Sequence, residues 1–383
     1  MPERNTALDG VRGVAILLVM FCHMNILDHT NGVTARTISS VLASGWCGVD
    51  LFFVLSGFLI TRILLASKNE HSYFRNFFAR RILRIVPVYY CVLALVFIIL
   101  PLAPFQTFQI PAAAKQDQWL YWAFVQNYFM ALTKSFGLPI LGVTWSLAIE
   151  EQFYVVWPLI VRLTSAQSLK RICIGIIVSA NVFRGLLTLT HANWMASYVL
   201  TPARMDSLAV GALVAIWRLE SDRPRLRRLF VPLMAATVVL SVAEFQTYGA
   251  TNAFGYTILA FAFAALLELG LDPSTRSSAL LDNRVLRFFG KYSYALYLLH
   301  PAILRATAGS LRWYGHPQAF GGQETVLMQI VFICFSSGGS IAAALISWHL
   351  LEKPFLRLKD RFTTTAPRVQ ERTPFGALPR LES

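Results

Sequence analysis

Arg12 and His23 stand eleven residues apart in one hydrophobic stretch, residues 10–27, whose middle, VAILLVMF, is unbroken apolar sequence. On a helix, eleven residues rise about 16 Å, half of a ~30 Å hydrocarbon core. The stretch thus joins a guanidinium at one membrane face to an imidazole near mid-membrane. Ionisable groups are expensive in lipid, so their presence there marks a site of chemistry. The guanidinium suits an anion, and the imidazole suits acceptance of a proton. The plainer reading is an arginine that snorkels to the interface and a histidine bonded to a neighbouring helix.

The remaining polar residues of the hydrophobic segments sort into two levels. At the Arg12 level lie Arg62, Arg80, Arg81 and Arg84. Arg80 and Arg84 are four apart and Arg81 and Arg84 three apart, so a helix crowds like charge on one face, at a few tenths of a kcal/mol per pair. Such a face draws a polyanion, either lipid headgroups or a nucleotide phosphate. At the His23 level the reading places Asp50, Glu150, Glu151, Asn181, Arg184, Arg204 and Asp206. At least one of the adjacent carboxylates, Glu150 or Glu151, is expected to pair with Arg184 or Arg204. Asp50 is expected to hydrogen-bond His23 and fix its tautomer. Ser293, Tyr297 and His300 fall on one helical face, and Pro301 frees the carbonyl of Tyr297. Ser56 and Gly57 read as a close helix contact.

The elements that must hold these groups are membrane helices. Of 383 residues, 56% are hydrophobic and only 14% charged, against about 25% charged in ordinary soluble domains. The formal charge of +14 lies mostly in segments between hydrophobic spans, so it reads as a topology signal and as contacts to anionic ligands or lipids rather than to nucleic acid. Five cysteines lie scattered without metal-ligand spacing, and no metal is called for. The first span carries no small-residue cleavage site and reads as retained. Spans are expected at residues 10–27, 46–65, 85–104, 143–163, 172–189, 198–217, 229–245, 254–271, 292–307 and 326–351, with basic and non-basic loops alternating between them. Pro87 falls in the first turn of the third span. Residues 105–141 form the largest external segment, and residues 119–130 are aromatic enough for the interface. The fold expected is an all-α integral membrane protein, a bundle of about ten transmembrane helices in the plasma (cell inner) membrane with both termini cytoplasmic. Residues 1–362 make one domain, and residues 363–383 a disordered cytoplasmic tail. Internal repeats, Walker loops, GxGxxG and HExxH are absent from the sequence, as is an attached soluble domain.

Together these segments resemble the membrane-bound acyltransferase family 3. The Arg12–His23 spacing carries the resemblance, with GVDLFFVLSGFLI (residues 48–60), RRILRIVP (80–87), TWSLAIEEQFYVVWP (144–158), RMDSLAVG (204–211), YSYALYLLHP (292–301) and EKP (352–354), over about residues 5–357. The resemblance implies transfer of an acyl group, usually acetyl from cytoplasmic acetyl-CoA, to a hydroxyl, typically of a sugar. It makes His23 the catalytic histidine and Arg12 its motif partner, with Arg80, Arg81 and Arg84 as coenzyme contacts. Some members carry a fused extracytoplasmic esterase-like domain, which this sequence lacks.

On the residues themselves, Asp50, Glu150 and Glu151 join His23 as catalytic candidates. Tyr297 and His300 stand with the donor arginines, and Arg184, Arg204 and Asp206 are candidates for binding the acceptor. Imidazole, with a reference pKa of about 6.5, is able to take a hydroxyl proton at physiological pH. The competing class is a transporter or flippase with the same charges as a substrate or proton path, a reading the lack of visible repeats disfavours.

Overall fold

The computed structural model describes residues 6–27, 32–102, 115–219, 228–236, 250–272, 276–313 and 326–358. The expected span at 229–245 falls only partly within them. The basic residues 220–227 and the expected tail lie outside.

Among the described residues every regular element is helical. The chain runs through α1 (Thr6–His23), α2 (Gly32–Ala43), α3 (Gly48–Ala66), α4 (Tyr73–Ala94), α5 (Gln118–Trp122), α6 (Gln126–Thr133), α7 (Thr144–Leu163) and α8 (Ala166–Leu189). It continues through α9 (Trp194–Val199), α10 (Thr201–Leu219), α11 (Ala250–Leu271), α12 (Arg276–Leu281), α13 (Arg284–Trp313), α14 (Val326–Ser347) and α15 (Lys353–Leu358). Seven helical stretches among the described residues are long and apolar enough to cross a membrane: those containing α1, α3, α4, α8, α10, α11 and α14. Two further long helices, α7 of 20 residues and α13 of 30, are more polar. Polar side chains in the middle of each face the bundle interior: Glu150 bonds to α3, and His300 is fully buried. A helix shielded by its neighbours can carry such residues, whereas one facing lipid cannot.

Three boundaries differ from the expectations. α4 begins at Tyr73, so Pro87 lies well inside the helix rather than in a first turn. Proline removes one backbone hydrogen bond there, which packing against α13 and α15 tolerates. The polar stretch after the first span contains α2, whose Ser39 is buried and accepts from the Asn25 side chain at 2.9 Å. Within the expected external segment, α5 and α6 pack inward: Gln126, Asn127 and Met130 are buried, and the Tyr89 hydroxyl donates to the Tyr121 carbonyl at 2.9 Å. Residues 105–114 of that segment lie outside the described residues.

Two helix crossings hold the centre together, α1 with α13 and α3 with α10. Both need glycine. A Cβ on Gly57 would overlap the Leu208 carbonyl, and one on Gly211 would overlap the Val54 carbonyl, so α3 and α10 meet backbone to backbone from both sides. Gly10, Gly13 and Gly290 do the same for α1 against α12 and α13. Small residues at such crossings replace the hydrophobic drive that lipid does not supply with dispersion contacts. Gly175 in α8, by contrast, has no neighbour within 4 Å of a Cβ position. Gly211→Ala is therefore expected to destabilise the protein by about 1–3 kcal/mol, whereas Gly175→Ala leaves stability unchanged or raised. Thermal unfolding of both variants in detergent checks the contrast.

Candidate active site

Two cavities are lined jointly by α1, α3, α7 and α13. The smaller, of about 90 Å³, gathers Arg12 from α1, Arg81 and Arg84 from α4, and Glu150 from α7. The larger, of about 1050 Å³, gathers His23 with Trp46, Trp145, Trp194, Tyr198 and Tyr256.

The cationic cavity is built by helical spacing. Arg12 Nη1 donates to Asp9 Oδ1 at 3.0 Å, one turn back on α1. Asp9 was not among the candidates, although its i,i+3 spacing to Arg12 was visible. Arg81 lies over the rings of Phe77 and Tyr154, at 5.9 and 5.4 Å. Arg81 and Arg84 line the cavity, whereas Arg80 is not among the lining residues. Arg81, Arg84 and Ile85 span the face that lines the cavity, and Arg80 falls just beyond its edge on the Arg84 side.

Glu150 belongs to this cavity too. Its carboxylate accepts from the Ser56 hydroxyl at 2.7 Å and from the Tyr154 hydroxyl at 3.1 Å. The expectation that Glu150 or Glu151 pairs with Arg184 or Arg204 at the His23 level is thereby corrected. Leu138, Ile140, Leu141 and Val143 are already buried before α7 starts, so Glu150 sits deeper than its distance from the segment end suggested. Glu151 Oε1 is buried without a hydrogen-bond partner among the described residues.

In the larger cavity His23 is exposed to the open space. Its Nδ1 stands 2.9 Å from the Val19 carbonyl. A carbonyl only accepts, so Nδ1 carries the hydrogen and Nε2 keeps a lone pair. This corrects the expected Asp50–His23 bond, because the last turn of α1 supplies the acceptor. Asp50 Oδ1 instead accepts from Arg204 Nη2 at 2.7 Å and from the Ser207 hydroxyl at 3.0 Å. His300 is fully buried, its Nδ1 3.0 Å from the Leu296 carbonyl and its ring centroid 5.0 Å from that of His23. His300 lines neither cavity, so it touches the site through His23 and not as a donor contact. Tyr297 does line the cationic cavity, as does Ser293.

Arg184, Arg204 and Asp206, the expected acceptor contacts, line neither cavity and are fully buried. Arg184 Nη2 donates to Asp206 Oδ2 at 2.8 Å, its Nε donates to the Ala253 carbonyl at 2.9 Å, and its Nη1 donates to the Ala203 carbonyl, tying α8, α10 and α11. Arg204 lies 3.8 Å from the centre of the Tyr256 ring and within 6 Å of those of Tyr198, Trp145 and Phe53. Three of those rings line the larger cavity, so Arg204 supports an aromatic floor from beneath. Sequence reasoning missed this floor. Its members come from three separated segments, and Trp145 was visible only as part of a motif.

A cationic cavity and a second cavity holding a histidine whose Nε2 has no partner among the described residues thus adjoin within one helical bundle. The profile of the acyltransferase domain family matches residues 5–349, and the chain belongs to this family. It is 30% identical over 328 residues to peptidoglycan O-acetyltransferase OatA of Listeria monocytogenes, covering 79% of this chain and 49% of that one. It is also 30% identical over 372 residues to a Bacillus subtilis protein, YrhL, provisionally named a peptidoglycan O-acetyltransferase, covering 91% of this chain and 54% of that one. A Staphylococcus aureus (strain COL) protein provisionally named an O-acetyltransferase is 28% identical over 370 residues, 91% of this chain and 56% of that one. The chain thus spans about half the length of these relatives. No solved structure matches significantly.

Removing one member of a buried ion pair strands the other charge, at about 3–5 kcal/mol. Asp50→Ala is expected to lower unfolding stability by that amount, and the double variant Asp50→Ala/Arg204→Leu to recover much of it. Thermal unfolding of single and double variants measures the recovery.

Proposed function

We propose that the chain is an O-acyltransferase that takes an acyl group, acetyl in the first place, from acyl-CoA and esterifies a hydroxyl of a peptidoglycan-like polysaccharide or related carbohydrate. The observation that carries this reading is the division of labour between the two cavities. Arg12, Arg81 and Arg84 offer charge-assisted hydrogen bonds to coenzyme phosphates, while His23 faces a separate space floored by Trp145, Tyr198 and Tyr256. Indole and phenol rings have the flat apolar faces and polar edges that suit a sugar ring. Family membership favours this over transport.

In the proposed reaction the acceptor hydroxyl gives its proton to His23 Nε2 as its oxygen bonds to the thioester carbonyl carbon. The carbon–sulfur bond then breaks, and the departing thiolate takes the proton. In the variant route His23 Nε2 bonds to the thioester carbonyl carbon as the carbon–sulfur bond breaks and the coenzyme thiolate departs; the acceptor hydroxyl oxygen then bonds to that carbon as the carbon–nitrogen bond breaks, and the hydroxyl proton ends on the thiolate. The Val19 carbonyl holds Nδ1–H throughout, so the imidazole presents the correct nitrogen. Glu150 and Tyr154 lie on the donor side, where the carboxylate balances Arg81 and Arg84. The topology that accords with this reading is a plasma-membrane bundle of about ten helices, residues 1–362, with both termini and the Arg12 end cytoplasmic.

Two outcomes are expected from the purified protein in detergent, read as coenzyme A released from acetyl-CoA in the presence of a glycan acceptor. His23→Gln keeps side-chain volume but not basicity, and should lower the rate by about 10² to 10⁴ while acetyl-CoA still binds. Arg81→Ala and Arg84→Ala should each raise the KM for acetyl-CoA by about tenfold to a hundredfold, the equivalent of ~1.5–3 kcal/mol per charged hydrogen bond, whereas Arg80→Ala changes it little. A His23→Gln protein that folds and transfers at near the normal rate would remove the catalytic assignment.

A further inference from the structure

Among the described residues, the linings of the two cavities share two members, Val49 and Tyr297. Arg12, Arg81 and Arg84 line the smaller cavity alone, and His23 lines the larger alone. Val49 and Tyr297 therefore stand at the boundary that an acyl group, its coenzyme held at the arginines, has to meet on the way to His23. We infer that Val49 and Tyr297 form an acyl-length filter, which admits a short acyl group to His23 and rejects longer ones. The inference rests on the acyl-transfer reading above.

Neither wall of the passage is free to retreat. The Tyr297 hydroxyl donates to the Val143 carbonyl at 3.0 Å and lies 2.6 Å from the Ser146 hydroxyl oxygen, so the ring is fixed at its far end by α7 and the residue before it. Phe52 abuts the same ring edge-on, with centroids 6.0 Å apart. Val49 is buried and β-branched on a helix, which leaves it one preferred rotamer. Its neighbour Gly48 holds α3 against α1, where a Cβ would crowd the Ala15 carbonyl, so the backbone behind Val49 cannot move away. Rigid apolar walls discriminate by volume, and one methylene group is worth about 10- to 200-fold in such a setting.

The test compares kcat/KM for butyryl-CoA and acetyl-CoA in the full-length protein with one glycan acceptor. The ratio of the two values cancels any loss of folded protein or of general activity. Val49→Ala widens one wall and should raise the butyryl-to-acetyl ratio at least tenfold. Tyr297→Phe keeps the ring but releases its anchor to Val143 and Ser146, and should raise the ratio in the same direction by less. Ratios within twofold of the unaltered protein in both variants would overturn the filter while leaving acetyl transfer intact. Failure of the unaltered protein to transfer from either donor would instead overturn the reading on which the filter rests.

Discussion

A guanidinium buried without water must find its counter-charge inside the protein, and the rest of the bundle is arranged around that requirement at Arg204. Its partner Asp50 comes from α3, its own helix is α10, and the two helices can meet closely because Gly57 and Gly211 remove the side chains that would hold them apart. The cation is also ringed by Tyr256, Tyr198 and Trp145, from α11, α9 and α7, and by Phe53 of α3 itself. Cation–π attraction strengthens when the cation is desolvated, so burial that makes the charge costly also makes these ring contacts more favourable. One ion pair thereby sets the distance between two helices and the position of an aromatic surface.

The same principle explains why the polar residues divide as they do. Arg184 and Asp206 satisfy each other, and the hydroxyl of Thr257 donates to Asp206 at 2.5 Å, so this group is closed to ligands and joins three helices. Arg12, Arg81 and Arg84 keep donors turned toward a cavity, with Asp9 and Glu150 near enough to moderate their mutual repulsion. His23 has one nitrogen committed to its own helix and one left for chemistry. No moving part is needed to fix the tautomer of His23, because the last turn of α1 does so.

Much of the helical architecture was legible from the sequence. The hydrophobic runs that became α1, α3, α8, α10, α11 and α14 matched their expected places to within a few residues, since an apolar stretch in lipid must close its own backbone hydrogen bonds. The start of α4 was less legible. Residues 73–84 are charged and aromatic, and a hydropathy reading ends a span where a helix simply leaves the hydrocarbon. The inward packing of α5 and α6 was likewise hidden, because Gln126 and Asn127 read as loop residues until their partners at Thr144, Val199 and Thr201 are seen.

Within the site, residue type and spacing along one helix were enough to draw attention to Arg12 with His23 and to the group Arg80, Arg81 and Arg84, but not to separate Arg80, which does not line the cavity, from the other two. Assigning partners across helices was not possible on that basis. Asp50 was matched to His23 and Glu150 to an arginine of the other level, since position along a segment indicates approximate depth but carries no rotation and no neighbour. Packing of α3 against α10 turned Asp50 toward Arg204, and the buried approach to α7 carried Glu150 to the donor arginines. The aromatic floor and the shared Val49–Tyr297 partition arise the same way. Each is made of side chains far apart in the chain, brought together by helix crossings whose angle and rotation depend on all the contacts at once.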